Sequence, residues 1–128
     1  MVPGDSVAHK VAASHGGDDT DGSHYAAVKS NLIATFGKFK QYFPNTMILP
    51  TIGNNDGRYK DEAIDEYDKS DYYSLIYDLW FTELEGNASL DRVTINKTIM
   101  NGAYYRADVA PNISVLSINS MYFDFKDD

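Results

Sequence analysis

A chain of 128 residues is one domain's worth, and a hydrophobic content of 43% is that of a globular protein. The formal charge of −8 argues against a sequence-independent grip on nucleic acid, which needs clustered Lys and Arg to displace phosphate counterions. There is no Cys, so no disulfide framework and no thiolate metal site, and no apolar run approaches the ~18 residues of a membrane span.

The opening "MVP" reads as the end of a buried strand that leads into Gly4-Asp5. Residues 9–21, rich in Gly, Ser, Asp and Ala, have no period and are expected to form a loop. From Ser23, the residues Tyr25, Val28, Leu32, Phe36, Phe39 and Phe43 recur every three or four positions. This predicts an amphipathic helix with Asp21 or Ser23 as its cap and Pro44 as its stop. "TMILPTI", residues 46–52, is a short apolar run of the kind that forms a strand buried on both faces, with Pro50 marking an edge or bulge near its end. Residues 56–71 are acidic, aromatic and irregular, as in a loop after a strand. A second helix is expected to start at a Ser70 cap, to carry Tyr72, Leu75, Ile76, Leu79, Trp80 and Leu84 on one face, and to end at Gly86. "NGAYYRADV" and "ISVLSINSMYF" flank "APN" as the two strands and turn of a hairpin. The order strand, helix, strand, helix, hairpin predicts one α/β layered domain over residues 1–128.

Both "GD" and "GNND" then fall where strands end, and ligands in open α/β sheets gather at such ends. Asp5 and Asn54 are hard oxygen donors, one anionic and one neutral, each just past a Gly that permits a sharp turn or a close approach. By spacing and residue type alone the same tetrapeptides are ordinary turn chemistry.

Taken together, "GDSVAH", "GNND", "GAYY" and "ISVLSINSMYF" resemble, in that order along nearly the whole chain, the calcineurin-like metallophosphoesterases. The resemblance is to the branch of acid sphingomyelinase-like phosphodiesterases and endopolyphosphatases, whose motifs read GD-x-x-x-H and G-N-H-D or G-N-N-D. It implies a four-layer αββα sandwich with mixed β-sheets and a pair of divalent metal ions (Zn, Mn or Fe). It also implies hydrolysis of a phosphoester substrate, a phospholipid or polyphosphate. Matched position by position, Asp5 would bridge the two metals, Asn54 would be an amide ligand of the second, and His9 would be the acid beside the scissile phosphate. Asp56 would orient its neighbours by hydrogen bonding. Asn55 stands where most members have His, and an amide cannot donate a proton at neutral pH, so either His9 carries the acid role alone, as the G-N-N-D pattern of endopolyphosphatases implies, or catalysis is weakened.

The family's D-x-H, G-H and G-H-x-H ligand motifs do not occur here, so the chain is expected to be an internal piece of a longer enzyme, inactive and marginally stable by itself. The competing expectation is a non-catalytic binding or scaffold module of the same fold. Sequons at Asn87, Asn96 and Asn112, with the resemblance, point to a secreted protein or one of the lysosomal or vacuolar lumen. His15 and His24 are read as solvated surface histidines, the aromatics of the second helix as core, and Arg58 and Lys60 as a solvated mixed-charge loop rather than a polyanion contact.

Overall fold

The computed structural model describes residues 1–14 and 16–123. It is a small α/β domain of three α-helices and a two-stranded antiparallel sheet. The helices are α1 (Ser23–Tyr42), α2 (Lys69–Tyr77) and α3 (Arg92–Gly102), and the strands are β1 (Tyr105–Ala110) and β2 (Ile113–Ser117). No helix of the described residues is long and apolar enough to cross a membrane.

The spacing that predicts α1 also buries it: Tyr25, Val28, Leu32 and Phe36 lie inward, whereas Phe43 lies past the helix and is 52% exposed. Neither Asp21 nor Ser23 occupies the cap position, although Asp21 Oδ1 accepts from the Ser23 N–H at 2.9 Å. The cap position is Gly22, and buried Asp19 instead accepts from the backbone N–H of His24 and Tyr25, placing a carboxylate at the positive end of the helix.

The second helix is shorter and less regular than its spacing implies. After Tyr77 the backbone widens into a π-helical turn, Asp78–Thr82, in which Glu83 N–H reaches back to Asp78 C=O. The extra residue turns Leu79, Trp80 and Phe81 all inward, which a 3.6-residue period cannot do for three neighbours. Trp80 meets Phe36 of α1, and Phe81 meets Tyr105 of β1 edge to face at 4.9 Å. Of the aromatics expected to be core, Tyr72, Tyr73 and Trp80 are at most 1% exposed, while Tyr77 is half-buried at the edge of the core.

Two features depart from the predicted strand, helix, strand, helix, hairpin order. Helix α3 has no counterpart among the predicted elements. Asp91 caps it by accepting from Thr94 N–H, and it buries Ile95 and Ile99. Conversely, the two expected strands before the hairpin reduce to one isolated parallel bridge. Val2 donates to Leu49 C=O at 3.0 Å and accepts from Thr51 N–H at 3.0 Å. Within residues 46–52, Ile48, Leu49, Pro50 and Ile52 are buried, but the run is held by side chains as much as by a ladder. Asn87 accepts from Ile48 N–H and donates to the carbonyls of Ile48 and Trp80. Tyr105 Oη donates to Pro50 C=O at 2.6 Å. Gly86 serves this packing rather than a helix stop, because a Cβ there would lie 2.1 Å from Thr46 O.

The hairpin forms as predicted, with strands shorter than the quoted runs and a bulge between Asp108 and Ala110. The expected mixed sheets of a four-layer sandwich are not formed by the described residues, whose sheet has two strands.

Candidate functional site

The bridge between Val2 and Pro50 delivers the two motif loops to one place, since each leaves its bridged residue within a few positions. Gly4 has φ +96°, and a Cβ on it would lie 2.7 Å from Gly53 Cα; a Cβ on Gly53 would lie 2.2 Å from Asp5 N. The loops are thus pressed backbone to backbone, and only glycines permit that approach.

Two hydrogen bonds then tie the loops, and a third braces the second loop internally. Asp5 Oδ1 accepts from Asn55 N–H at 3.1 Å, Asp56 Oδ1 from Val7 N–H at 2.8 Å, and Asp56 Oδ2 from Gly53 N–H at 2.9 Å. Asp5 sits at φ 52°, a left-handed conformation that costs a non-glycine residue on the order of 1–3 kcal/mol and tends to be kept where function demands it. With both oxygens engaged by backbone N–H groups, Asp56 positions the loops and is not placed to bind anything itself. Its carboxyl is 2% exposed, and burial pushes its pKa up to about 6, with the charge of Asp5 adding to the rise while the Gly53 and Val7 hydrogen bonds oppose it. Tyr72 Oη donates to Asp56 C=O, which anchors the loop to α2.

Asn54 is oriented by a residue that the motif does not include. Its Nδ2 donates to Asp61 Oδ1 at 2.6 Å, and Asp61 N–H returns a bond to Asn54 C=O at 2.9 Å. A carboxylate can take only the NH₂ end of the amide, so Asn54 Oδ1 is left as the acceptor, with Asn55 Nδ2 3.4 Å away. Asn55 is 1% exposed, and its Oδ1 is buried with no hydrogen-bond donor among the described residues.

His9 is exposed and lines a separate cleft of about 440 Å³ with Lys10, Ser14, Asp18, His24 and Lys60. A second parallel bridge, Ala13 to Tyr59, joins the loops around it: Ala13 N–H meets Arg58 C=O and Lys60 N–H meets Ala13 C=O. His24 is not the solvated histidine expected. It is half-buried, its Nδ1 lies 2.8 Å from Val11 O, and it shares the cleft with His9. His15 lies outside the described residues. Arg58 is likewise no loosely solvated side chain: it pairs with Asp19 at 2.9 Å and Asp68 at 3.1 Å, donates to Asp19 C=O and stacks on Tyr25 and Tyr59. Lys60 remains at the cleft, 3.8 Å from Asp61.

As a metal site the loops are partial. The donor types suit a hard cation, an anionic oxygen from Asp5 and a neutral one from Asn54, both beside Asn55. Among the described residues, however, no three His, Asp or Glu side chains come together as a group able to hold a metal ion. The residues present therefore do not complete the shell of two cations. What they assemble unaided is a rigid loop pair, two oriented oxygens and a neighbouring cleft that carries an imidazole. The chain matches no protein-family model, no curated protein and no solved structure.

Proposed function

We propose that these residues are part of a metal-dependent phosphoesterase of the calcineurin-like type, in its sphingomyelinase-like and endopolyphosphatase-like branch. The observation that carries the reading is the convergence of Gly4-Asp5 and Gly53-Asn54. Residues 49 positions apart meet backbone to backbone, with the Asp5 carboxylate on the backbone N–H of Asn55 and the Asn54 carbonyl oxygen 3.4 Å from the same residue's side-chain amide. Turn chemistry alone accounts for each tetrapeptide but not for their contact.

In this reading Asp5 and Asn54 hold divalent cations together with ligands from outside the described residues, and the four-layer sandwich is the fold of the larger assembly. Bound cations of this kind supply an activated water and a positive field for the phosphate. Asp56 and Asp61 act as positioning residues: the first locks the two loops, the second fixes which end of the Asn54 amide faces the site. His9, in the adjoining cleft, gives a proton to the leaving oxygen, a role that the buried amide of Asn55 cannot take.

The test uses the natural gene product, with whatever sequence flanks these residues, and bis-nitrophenyl phosphate as probe. Hydrolysis should require Mn²⁺ or Zn²⁺. Asp5→Asn should lower it by about 10²-fold or more, the scale on which preorganised electrostatic groups act. His9→Ala should cost about 10²- to 10⁴-fold with a poor leaving group and much less with nitrophenolate. Hydrolysis indifferent to both a chelator and Asp5→Asn would overturn the proposal.

A second reading, a binding or scaffold module that has lost catalysis, is favoured by one observation: no metal-holding group of three forms among the described residues. It predicts that the natural gene product shows neither metal-dependent hydrolysis nor a metal-induced rise in melting temperature.

A further inference from the structure

We propose that Asn112 is an N-glycan acceptor, and that the fold carries an oligosaccharide at the β1–β2 turn while excluding one at Asn87. The three Asn-x-Ser/Thr tripeptides of the chain are equivalent as sequence, and the structure separates them. Asn87 is fully buried and its Nδ2, the atom that would bear the sugar, already donates to the carbonyls of Ile48 at 2.6 Å and Trp80 at 2.7 Å. A glycan there would cut both bonds and force a large polar group between the π-helical turn and the segment at Ile48. Asn96 lies midway along α3, half-buried, and the hydroxyl of its sequon partner Thr98 is turned back onto the carbonyls of Thr94 and Ile95.

Asn112 is the opposite case. It stands at the tip of the two-residue hairpin turn between Ala110 and Ile113, exposed, at φ 63°. Pro111 supplies a fixed φ before it, and Asn is among the few side chains that tolerate the left-handed conformation next. Pro111, Asn112, Ile113 and Ser114 are all exposed at the end of the sheet; the Ser114 hydroxyl donates to the exposed Asp108 carboxylate at 2.6 Å, a surface contact between side chains, unlike the bonds of Thr98 to the carbonyls of its own helix. An oligosaccharide there meets solvent and displaces no hydrogen bond of the fold.

Transfer forms a bond between Asn112 Nδ2 and C1 of the sugar of a lipid-linked oligosaccharide. The bond from C1 to the carrier's diphosphate breaks, the lipid diphosphate leaves with the electron pair, and the amide proton passes to a base of the transferase.

The inference stands apart from the phosphoesterase reading and is tested separately. The full chain is translated in a cell-free system with microsomes behind a secretion leader, and the protease-resistant, folded fraction is analysed. Site-resolved mass spectrometry after glycosidase release should find Asn112 occupied and Asn87 free. Asn112→Gln should lose one glycan's worth of gel mobility shift, as should Ser114→Ala, while Ser114→Thr, which preserves the sequon, should keep it. The Ser114 pair guards against a turn disrupted by Gln at a left-handed position. An unoccupied Asn112 in the wild-type chain, or a glycan on Asn87 in the folded fraction, would overturn the inference.

Discussion

Asp19 and Asp56 are both 2% exposed, both accept two backbone N–H groups and both hold distant loops together, yet their carboxyls are driven in opposite directions. At Asp19, burial would raise the pKa, but hydrogen bonds from His24 and Tyr25 and the Arg58 guanidinium outweigh it, and the net shift is downward. At Asp56, burial wins and carries the value up to about 6, helped by the nearby Asp5. At Asp19 the backbone hydrogen bonds do most of the lowering, and Arg58 adds a cation to them; the loop of Asp56 instead sets that carboxyl near Asp5, with no ion pair to either among the described residues. The Asp19 clasp is therefore a finished structural joint, whereas the strand-end loops hold negative charge in reserve, which is the electrostatic condition a cation site requires.

Removing the arginine breaks the comparison most severely. Arg58→Ala removes the cation shared by Asp19 at the start of α1 and Asp68 at the start of α2, and chemical denaturation should report a loss of about 3 kcal/mol, the low end for a buried pair because the Arg58 side chain keeps 22% exposure. Gly53→Ala attacks the other loop by sterics alone. With a Cβ 2.2 Å from Asp5 N, the backbones must separate, and a loss of roughly 2 kcal/mol is expected in the same assay. If Gly53→Ala melts like the wild type, the loops are not pressed together as described.

Asp56→Asn sharpens the contrast through pH. The folded carboxyl binds its proton up to about pH 6, the unfolded one only up to about 3.8, so the Asp56 contribution is most favourable below the lower value. It is lost as pH rises through about 6. The stability of wild type minus that of Asp56→Asn should thus fall across this window, by about 3 kcal/mol at most, in urea titrations at several pH values. For Asp19, whose folded value is lowered, the sign reverses: its contribution is present above the unfolded pKa and is lost as pH falls through the folded one. The smallest effect is expected from Tyr72→Phe, about 1 kcal/mol for one hydrogen bond to Asp56 C=O, with the core otherwise unchanged.

The parts of the fold legible in the sequence are those with a strong period or a turn signal. Helix α1 shows its inward stripe directly, and "APN" marks the hairpin turn. Helix α3 was hidden because Val93, Thr94, Ile95, Thr98 and Ile99 are β-branched and its buried stripe is only Ile95 and Ile99 with Gly102. Its one readable sign is the Asp91 cap three residues before Thr94. The segment at 46–52 reads as a strand because it is apolar, but a strand also needs partners, and among the described residues only Val2 bridges to it. At the site, the Gly-Asp and Gly-Asn pairs announce a close approach, whereas Asp61 is invisible in sequence, being one acid among many in an acidic loop. The pairing of His24 with His9 in one cleft depends on where α1 begins relative to the Ala13 bridge, which no local spacing encodes.

The two parallel bridges join Val2 to Pro50 and Ala13 to Tyr59, separations of 48 and 46 residues. Such contacts are reached only after the chain has closed a long loop at an entropic cost, while α2, α3 and the hairpin assemble from near neighbours. The order of folding follows: the helical core and hairpin should consolidate first, and the loop pair carrying Asp5 and Asn54 should dock last. Substitutions in those loops, Gly53→Ala among them, should accelerate unfolding and leave the refolding rate nearly untouched, whereas truncating Ile76 or Ile99 should slow refolding itself.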